Sequence, residues 1–149
     1  MNFSTLKAAM LVAGFSAMAL PAFAAEHEIR MLNKGSNGQP MVFEPAGVKA
    51  APGDTIRFVP TDKGHDAVSM KGLVPEGAAE IKGRINQEVV VTVTEPGAYV
   101  FKCTPHLGMG MVALVVVGDA PANIEAVMAA KMPRKAKERL EAEITRLGL

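Results

Sequence analysis

The sequence predicts an all-β domain, an antiparallel sandwich or barrel of short strands, followed by two short α-helices. Residues 26–119 hold a series of strand-favouring runs bounded by turn residues, chiefly glycine and proline. The clearest of these runs alternates with period two, the repeat of a strand with distinct faces. After Gly118 the apolar residues recur at helical spacing instead.

The first 24 residues stand apart from this pattern. Lys7 is the only charge in residues 1–25, Ala8 to Leu20 is apolar, and Pro21 breaks the run. Ala22-Phe23-Ala24 then has the small-x-small form of a signal-peptidase site. The apolar core is too short for a stable bilayer anchor. A positive end, an apolar run and a small-residue exit, in that order, favour an export signal over a buried N-terminal helix. Cleavage after Ala24 is expected to leave one domain, residues 25–149, long enough to bury a real core.

The strands follow in order. Glu28 to Leu32 forms the first, ended by the polar Gly35-Ser36-Asn37-Gly38 loop, and Met41-Val42-Phe43 is a short apolar piece. Ala51-Pro52-Gly53-Asp54 turns the chain into Thr55-Ile56-Arg57-Phe58-Val59. Lys63-Gly64 precedes a strand starting at His65, and residues 71–86 are irregular. Glu88 to Thr94 is β-branched, and Glu95-Pro96-Gly97 turns into Ala98–Cys103. There the period of two sets Tyr99, Phe101 and Cys103 on one face, opposite Lys102, so Cys103 points inward. Pro96-Gly97 followed by Tyr99 has the form of the tyrosine corner of Greek-key sandwiches. Met111 to Val117 is the last strand.

The tail is helical in two pieces. Asp119 or Ala120 is placed to cap the first, Pro121 suits its first turn, and Ile124, Val127 and Met128 form its apolar stripe. Met132-Pro133 interrupts. Ala136, Leu140, Ile144 and Leu147 then recur at helical spacing, with possible ion pairs Arg134/Glu138, Lys137/Glu141 and Arg139/Glu143. The sandwich should occupy about 25–119 and the helices about 121–147.

The net formal charge is +1, and without Lys7 the 15 acidic residues are matched by equal basic charge. No global field suggests nucleic acid, and no membrane insertion is expected. One cysteine excludes an internal disulfide and a two-cysteine haem attachment. It leaves an intermolecular link, a reactive thiol, a buried hydrophobe or a metal ligand.

Cys103 lies in the most informative stretch, Cys103-Thr104-Pro105-His106-Leu107-Gly108-Met109-Gly110-Met111. A thiolate, an imidazole and a thioether on one loop suit a soft metal, copper above all. A mononuclear electron-transfer centre needs a second imidazole. His65 is the candidate, whereas His27 reads as an exposed histidine near the start of the exported chain. Met111, at the mouth of the last strand, is favoured as axial ligand over Met109, which lies between two glycines. Gly108 and Gly110 permit the tight path back from His106, and Pro105 stiffens its approach. Three ligands on one loop between adjacent strands and a fourth on a neighbouring strand make a rigid site, which electron transfer between Cu(II) and Cu(I) requires.

The chain order His65, Cys103, His106, Met111 resembles the cupredoxins, the small blue copper proteins. The similarity extends to Met31-Leu32-Asn33-Lys34-Gly35, Met41-Val42-Phe43-Glu44-Pro45, Val59–His65 and Val117-Gly118-Asp119-Ala120-Pro121. It implies an eight-stranded Greek-key β-sandwich with one type 1 copper, one ion per chain. It also implies a monomeric periplasmic shuttle passing single electrons to copper nitrite reductase or c-type cytochromes, not an enzyme. Family members expose the ligand matching His106 within an apolar patch, here Met41, Pro105, Leu107 and Met109, ringed by Lys34, Lys63, Lys82 and Lys102. The residue after the first histidine is usually asparagine in this family and is Asp66 here, so a lower reduction potential than that of an asparagine version is expected.

Three rival chemistries are weaker. Zinc takes methionine poorly. A Cys–His hydrolase would need a third orienting residue, and none stands out. A copper carrier or chaperone must release its ion, which exposed methionine clusters suit better than a buried thiolate with two imidazoles. The lysines have a plain reading too, as a solvated face, since residues 25–121 carry 9 basic and 11 acidic groups.

Overall fold

The computed structural model describes residues 23–149. The leader expected at 1–24 therefore lies outside the described residues, apart from the exposed Phe23 and Ala24. The strands are β1 (Glu26–Lys34), β2 (Pro40–Glu44), β3 (Gly47–Ala50), β4 (Asp54–Val59), β5 (Val68–Ser69), β6 (Val89–Val93), β7 (Gly97–Lys102) and β8 (Val112–Val117). A 3₁₀ helix, Thr104–Met109, joins β7 to β8, and α1 (Ile124–Ala129) and α2 (Arg134–Arg146) close the chain.

The strands form two four-stranded sheets, β2-β1-β4-β6 and β3-β8-β7-β5, in a sandwich rather than a closed barrel. Most neighbours are antiparallel, but β1 pairs with β4 and β3 with β8 in parallel. Pro45 and Ala46 carry the chain from β2 in one sheet to β3 in the other, and it returns beside β1. A strand that comes back after such a crossing runs in the same direction as its neighbour. β3 falls in a stretch whose sequence gave no strand signal. Gly47, Val48 and Ala50 are buried and Lys49 is exposed, with Val48 opposite Val115 and Ala50 opposite Val117 of β8.

Two cores explain the valine-rich β8, which is buried at every position. Ala113, Val115 and Val117 face the inter-sheet core with Tyr99, Phe101, Phe43 and Phe58. Val112, Leu114 and Val116 face the helices with Ala98, Val100, Val127, Ala136, Leu140 and Ile144. A strand covered on both faces loses the alternation of a half-exposed one. Phe58 links the aromatic core, with ring centroids 4.6 Å from Phe101 and 5.7 Å from Phe43. The tyrosine corner is present: the Tyr99 hydroxyl donates to the Glu95 carbonyl at 3.0 Å.

The helix starts differ from expectation. Neither Asp119 nor Ala120 caps α1, whose N-cap position is Asn123. The Asn123 side chain is committed to β7, accepting from the Ala98 N–H and donating to the Ala98 carbonyl, both at 2.8 Å. It satisfies an edge of β7 as a paired strand would. Arg134/Glu138 and Lys137/Glu141 pair at 3.6 and 3.8 Å, but Arg139 does not meet Glu143. Glu143 instead binds Arg146.

Candidate metal centre

The end of β7, the 3₁₀ helix and the start of β8 form one cross-braced loop. Cys103 N–H donates to Met111 O at 3.0 Å, His106 N–H to Cys103 O at 3.1 Å, and Met111 N–H to His106 O at 3.1 Å. Every ligand candidate on the loop is thereby bonded through its backbone to another. Gly110, at φ 89°, turns the chain back, and a side chain there would press on Arg139 and Lys135. His65 lies three residues before β5, in a stretch without regular secondary structure rather than within a strand. It is held by Asn86, whose N–H donates to His65 O at 2.9 Å and whose Oδ1 accepts from Gly64 N–H at 2.6 Å.

These elements bring His65, Cys103 and His106 together. The two Nδ1 atoms are 3.1 Å apart, and Cys103 Sγ lies 3.6 Å from that of His65 and 3.5 Å from that of His106. The three donor atoms all lie within 4.8 Å of one another, a group able to share one ion. Met111 is fully buried beside Cys103 in the same core cluster, whereas Met109 is 41% exposed. His27 is elsewhere, half-buried and bonded through Nε2 to Asp54 Oδ2 at 2.8 Å, rather than free at the surface.

Burial shapes the protonation states. It holds the His65 imidazole below its usual range, with His106 adding to the effect. His65 Nε2 faces Asn33 Oδ1 at 2.9 Å, which fixes the proton on Nε2 and aims the Nδ1 lone pair at the centre. Burial pushes the Cys103 thiol up to about 11, against backbone hydrogen bonds from Asp66 and His106 that favour the thiolate. The Asp66 side chain is nearly buried, and its Oδ1 accepts from Thr104 N–H at 2.6 Å, tying the His65 segment to the Cys103 loop.

The donor set fits copper. Among the described residues, one cysteine sulfur and two imidazoles converge with no carboxylate in the group, and a buried thioether lies in the same core cluster as the sulfur. Around them, His106 is partly exposed, Pro105 and Met109 are exposed, and Leu107 and Met41 are half-buried. Lys34 pairs with Pro40 beside Met41, and Lys102 and Lys82 both oppose Val68, one on each side. Lys34, Lys63 and Lys82 are exposed and Lys102 is half-buried.

Three residues beyond the expected set hold the site. Asn33 and Asn86 fix the His65 side chain and backbone. Arg139 reaches from α2 to Met41 O at 2.8 Å, Gly110 O at 3.0 Å and Pro40 O at 3.0 Å. Asn33 lies in a stretch shared with the blue copper proteins, but no local spacing links it to His65. The helical register of Arg139 pointed to Glu143 instead.

Comparison with known proteins agrees with this geometry. Residues 29–118 match the family of copper-binding proteins described as plastocyanin/azurin. The chain is 56% identical over 140 residues to a pseudoazurin of Paracoccus pantotrophus, covering 94% of this chain and 96% of that one. It is 49% identical over 144 residues to a putative pseudoazurin of Rhizobium leguminosarum bv. viciae, covering 95% and 94%. The crystal structure of pseudoazurin from Methylobacterium extorquens AM1 superposes with a TM-score of 0.78 at 46% identity, over 82% of this chain and 98% of that one.

Proposed function

Because the chain belongs to the copper-binding plastocyanin/azurin family, we propose that it is an exported carrier of single electrons. It would hold one copper ion on His65, Cys103, His106 and Met111, and serve periplasmic redox proteins such as copper nitrite reductase and c-type cytochromes. The observation that carries this reading is the convergence of Cys103 Sγ with the Nδ1 atoms of His65 and His106.

When bound, the copper supplies a one-electron couple, Cu(II)/Cu(I). The chain's own residues do the rest. Cys103 loses its proton to become the thiolate, and its burial keeps water from the sulfur. His65, fixed by Asn33 and Asn86, keeps one orientation in both oxidation states. The backbone braces of the loop resist movement of Cys103, His106 and Met111, so little must rearrange when the electron moves. His106 bridges the buried cluster and the surface, which makes it the natural exit for the electron. Met41, Pro105, Leu107 and Met109 would give an apolar contact around it, with Lys34, Lys63, Lys82 and Lys102 steering an acidic partner.

One experiment tests the core of the reading. Copper added to the protein should give an intense visible absorption from thiolate-to-Cu(II) charge transfer, abolished in Cys103→Ser. A colourless copper-loaded protein would overturn the electron-carrier role. Reduction of nitrite reductase or a c-type cytochrome by the reduced protein, followed by stopped flow, tests the partner class.

A further inference from the structure

We propose that cutting the chain after Ala24 completes a charged clasp: the new α-ammonium of Ala25 docks on the Asp54 carboxylate and strengthens the folded state only after processing. This rests on the leader expected at residues 1–24, and not on the metal chemistry.

The acceptor is already assembled. Asp54 begins β4 and is 6% exposed. Its Oδ1 accepts from the Ala25 backbone N–H at 2.8 Å, and its Oδ2 accepts from the Ala51 N–H at 2.9 Å and faces His27 Nε2 at 2.8 Å. Ala25 is held from its other side as well, where its carbonyl accepts from Thr55 N–H at 2.9 Å. The nitrogen therefore sits in place before any cut. These partners keep the Asp54 carboxyl down at about 2, ionised across ordinary pH.

What the site lacks is a permanent countercharge. His27 is a cation only when protonated, and the two backbone N–H groups are dipoles. Neighbouring Glu26 is committed to Arg57, with Nη2 2.8 Å from Oε2. Among the described residues, no lysine or arginine forms an ion pair with Asp54. A nearly buried carboxylate is worth more to the fold when a hydrogen-bonded charge meets it.

Hydrolysis of the Ala24–Ala25 bond would supply that charge. Ala24 and Ala25 are exposed, and β1 starts only at Glu26, so the bond lies outside the paired strand. An exported peptidase would add water across it. The oxygen goes to the Ala24 carbonyl carbon, leaving a carboxylate on the leader. The nitrogen stays with Ala25 and takes up protons to become an ammonium, without moving from Asp54. The uncut precursor has only the amide there. Its native state is then less favoured before the cut than after it.

All described strands and helices lie within 26–146, so a chain starting at Ala25 keeps every one of them. The test compares three copper-loaded proteins: the chain from Ala25 with a free amine, the same chain Nα-acetylated, and a chain retaining Ala22-Phe23-Ala24. Acetylation keeps the N–H donor and removes the charge. The free-amine chain should melt about 4 °C above the other two. Its α-amino group should titrate at least one unit above the usual value of about 7.7–8.0, a tenfold shift read by NMR. In Asp54→Asn the melting advantage should vanish. Equal melting of the free and acetylated chains, or an unshifted α-amino group, would overturn the clasp. The mass of the exported protein is read separately, and a first residue other than Ala25 would overturn the processing step alone.

Discussion

Asp66 and Cys103 show how single residues set the metal chemistry. Asp66 follows His65 directly and its Oδ1 holds the Thr104 N–H, next to Cys103. Its charge favours the more positive oxidation state of a bound ion. Asparagine offers the same Oδ1 acceptor without the charge, so Asp66→Asn should raise the reduction potential while leaving the loop in place. An unchanged or lower potential, measured by voltammetry, would contradict the electrostatic account. At Cys103, a thiol held at about 11 is protonated at neutral pH. Copper must displace that proton, so uptake at pH 7 should release about one proton per ion from this group. The sign follows: apparent affinity rises with pH, about tenfold per unit from this group alone, and levels off above about 11. Calorimetry in buffers of different ionisation enthalpy measures the proton count.

The helix α2 is the element that the site borrows from outside the sandwich. Its Ala136, Leu140 and Ile144 bury one stripe against Leu114 and Val116, which sets the height of Arg139. From there the guanidinium holds the carbonyls of Pro40, Met41 and Gly110, and so ties β2 to the residue before Met111. Met41 sits at φ 49°, a conformation that a non-glycine residue keeps only under constraint. Arg139→Gln leaves carbonyls without partners and should cost about 1–3 kcal/mol in denaturant unfolding. It should also change the visible and paramagnetic resonance spectra of the copper form, because the Met111 end of the loop is released. A stability loss with unaltered spectra would assign Arg139 to the fold alone.

At the scale of the whole molecule, the proposed docking surface depends on how charge is distributed rather than on its sum. The chain has almost no net charge, so any steering must be local. Lys34, Lys63, Lys82 and Lys102 come from separate segments. Partner association rates should fall as salt rises, and fall again with Lys→Ala at any of these positions, in stopped-flow traces against an acidic redox partner. Rates indifferent to both changes would leave the apolar patch as the sole docking surface.

Much of this was legible in the chain because it is local. The period of two in Tyr99-Val100-Phe101-Lys102-Cys103, the helical spacing of Ala136, Leu140 and Ile144, and the three ligands packed into residues 103–111 are all short-range patterns. They determine strand, helix and donor chemistry, since backbone period and ligand type are properties of neighbouring residues. Tertiary structure alone decided the rest. The parallel pairings of β1 with β4 and β3 with β8 depend on where the chain changes sheet. Asn33 meets His65 across 32 positions, Asp66 meets Thr104 across 38, and Arg139 meets Met41 across 98. Contacts at that separation arise only when packing of the two cores has fixed the segments, and no local period encodes them.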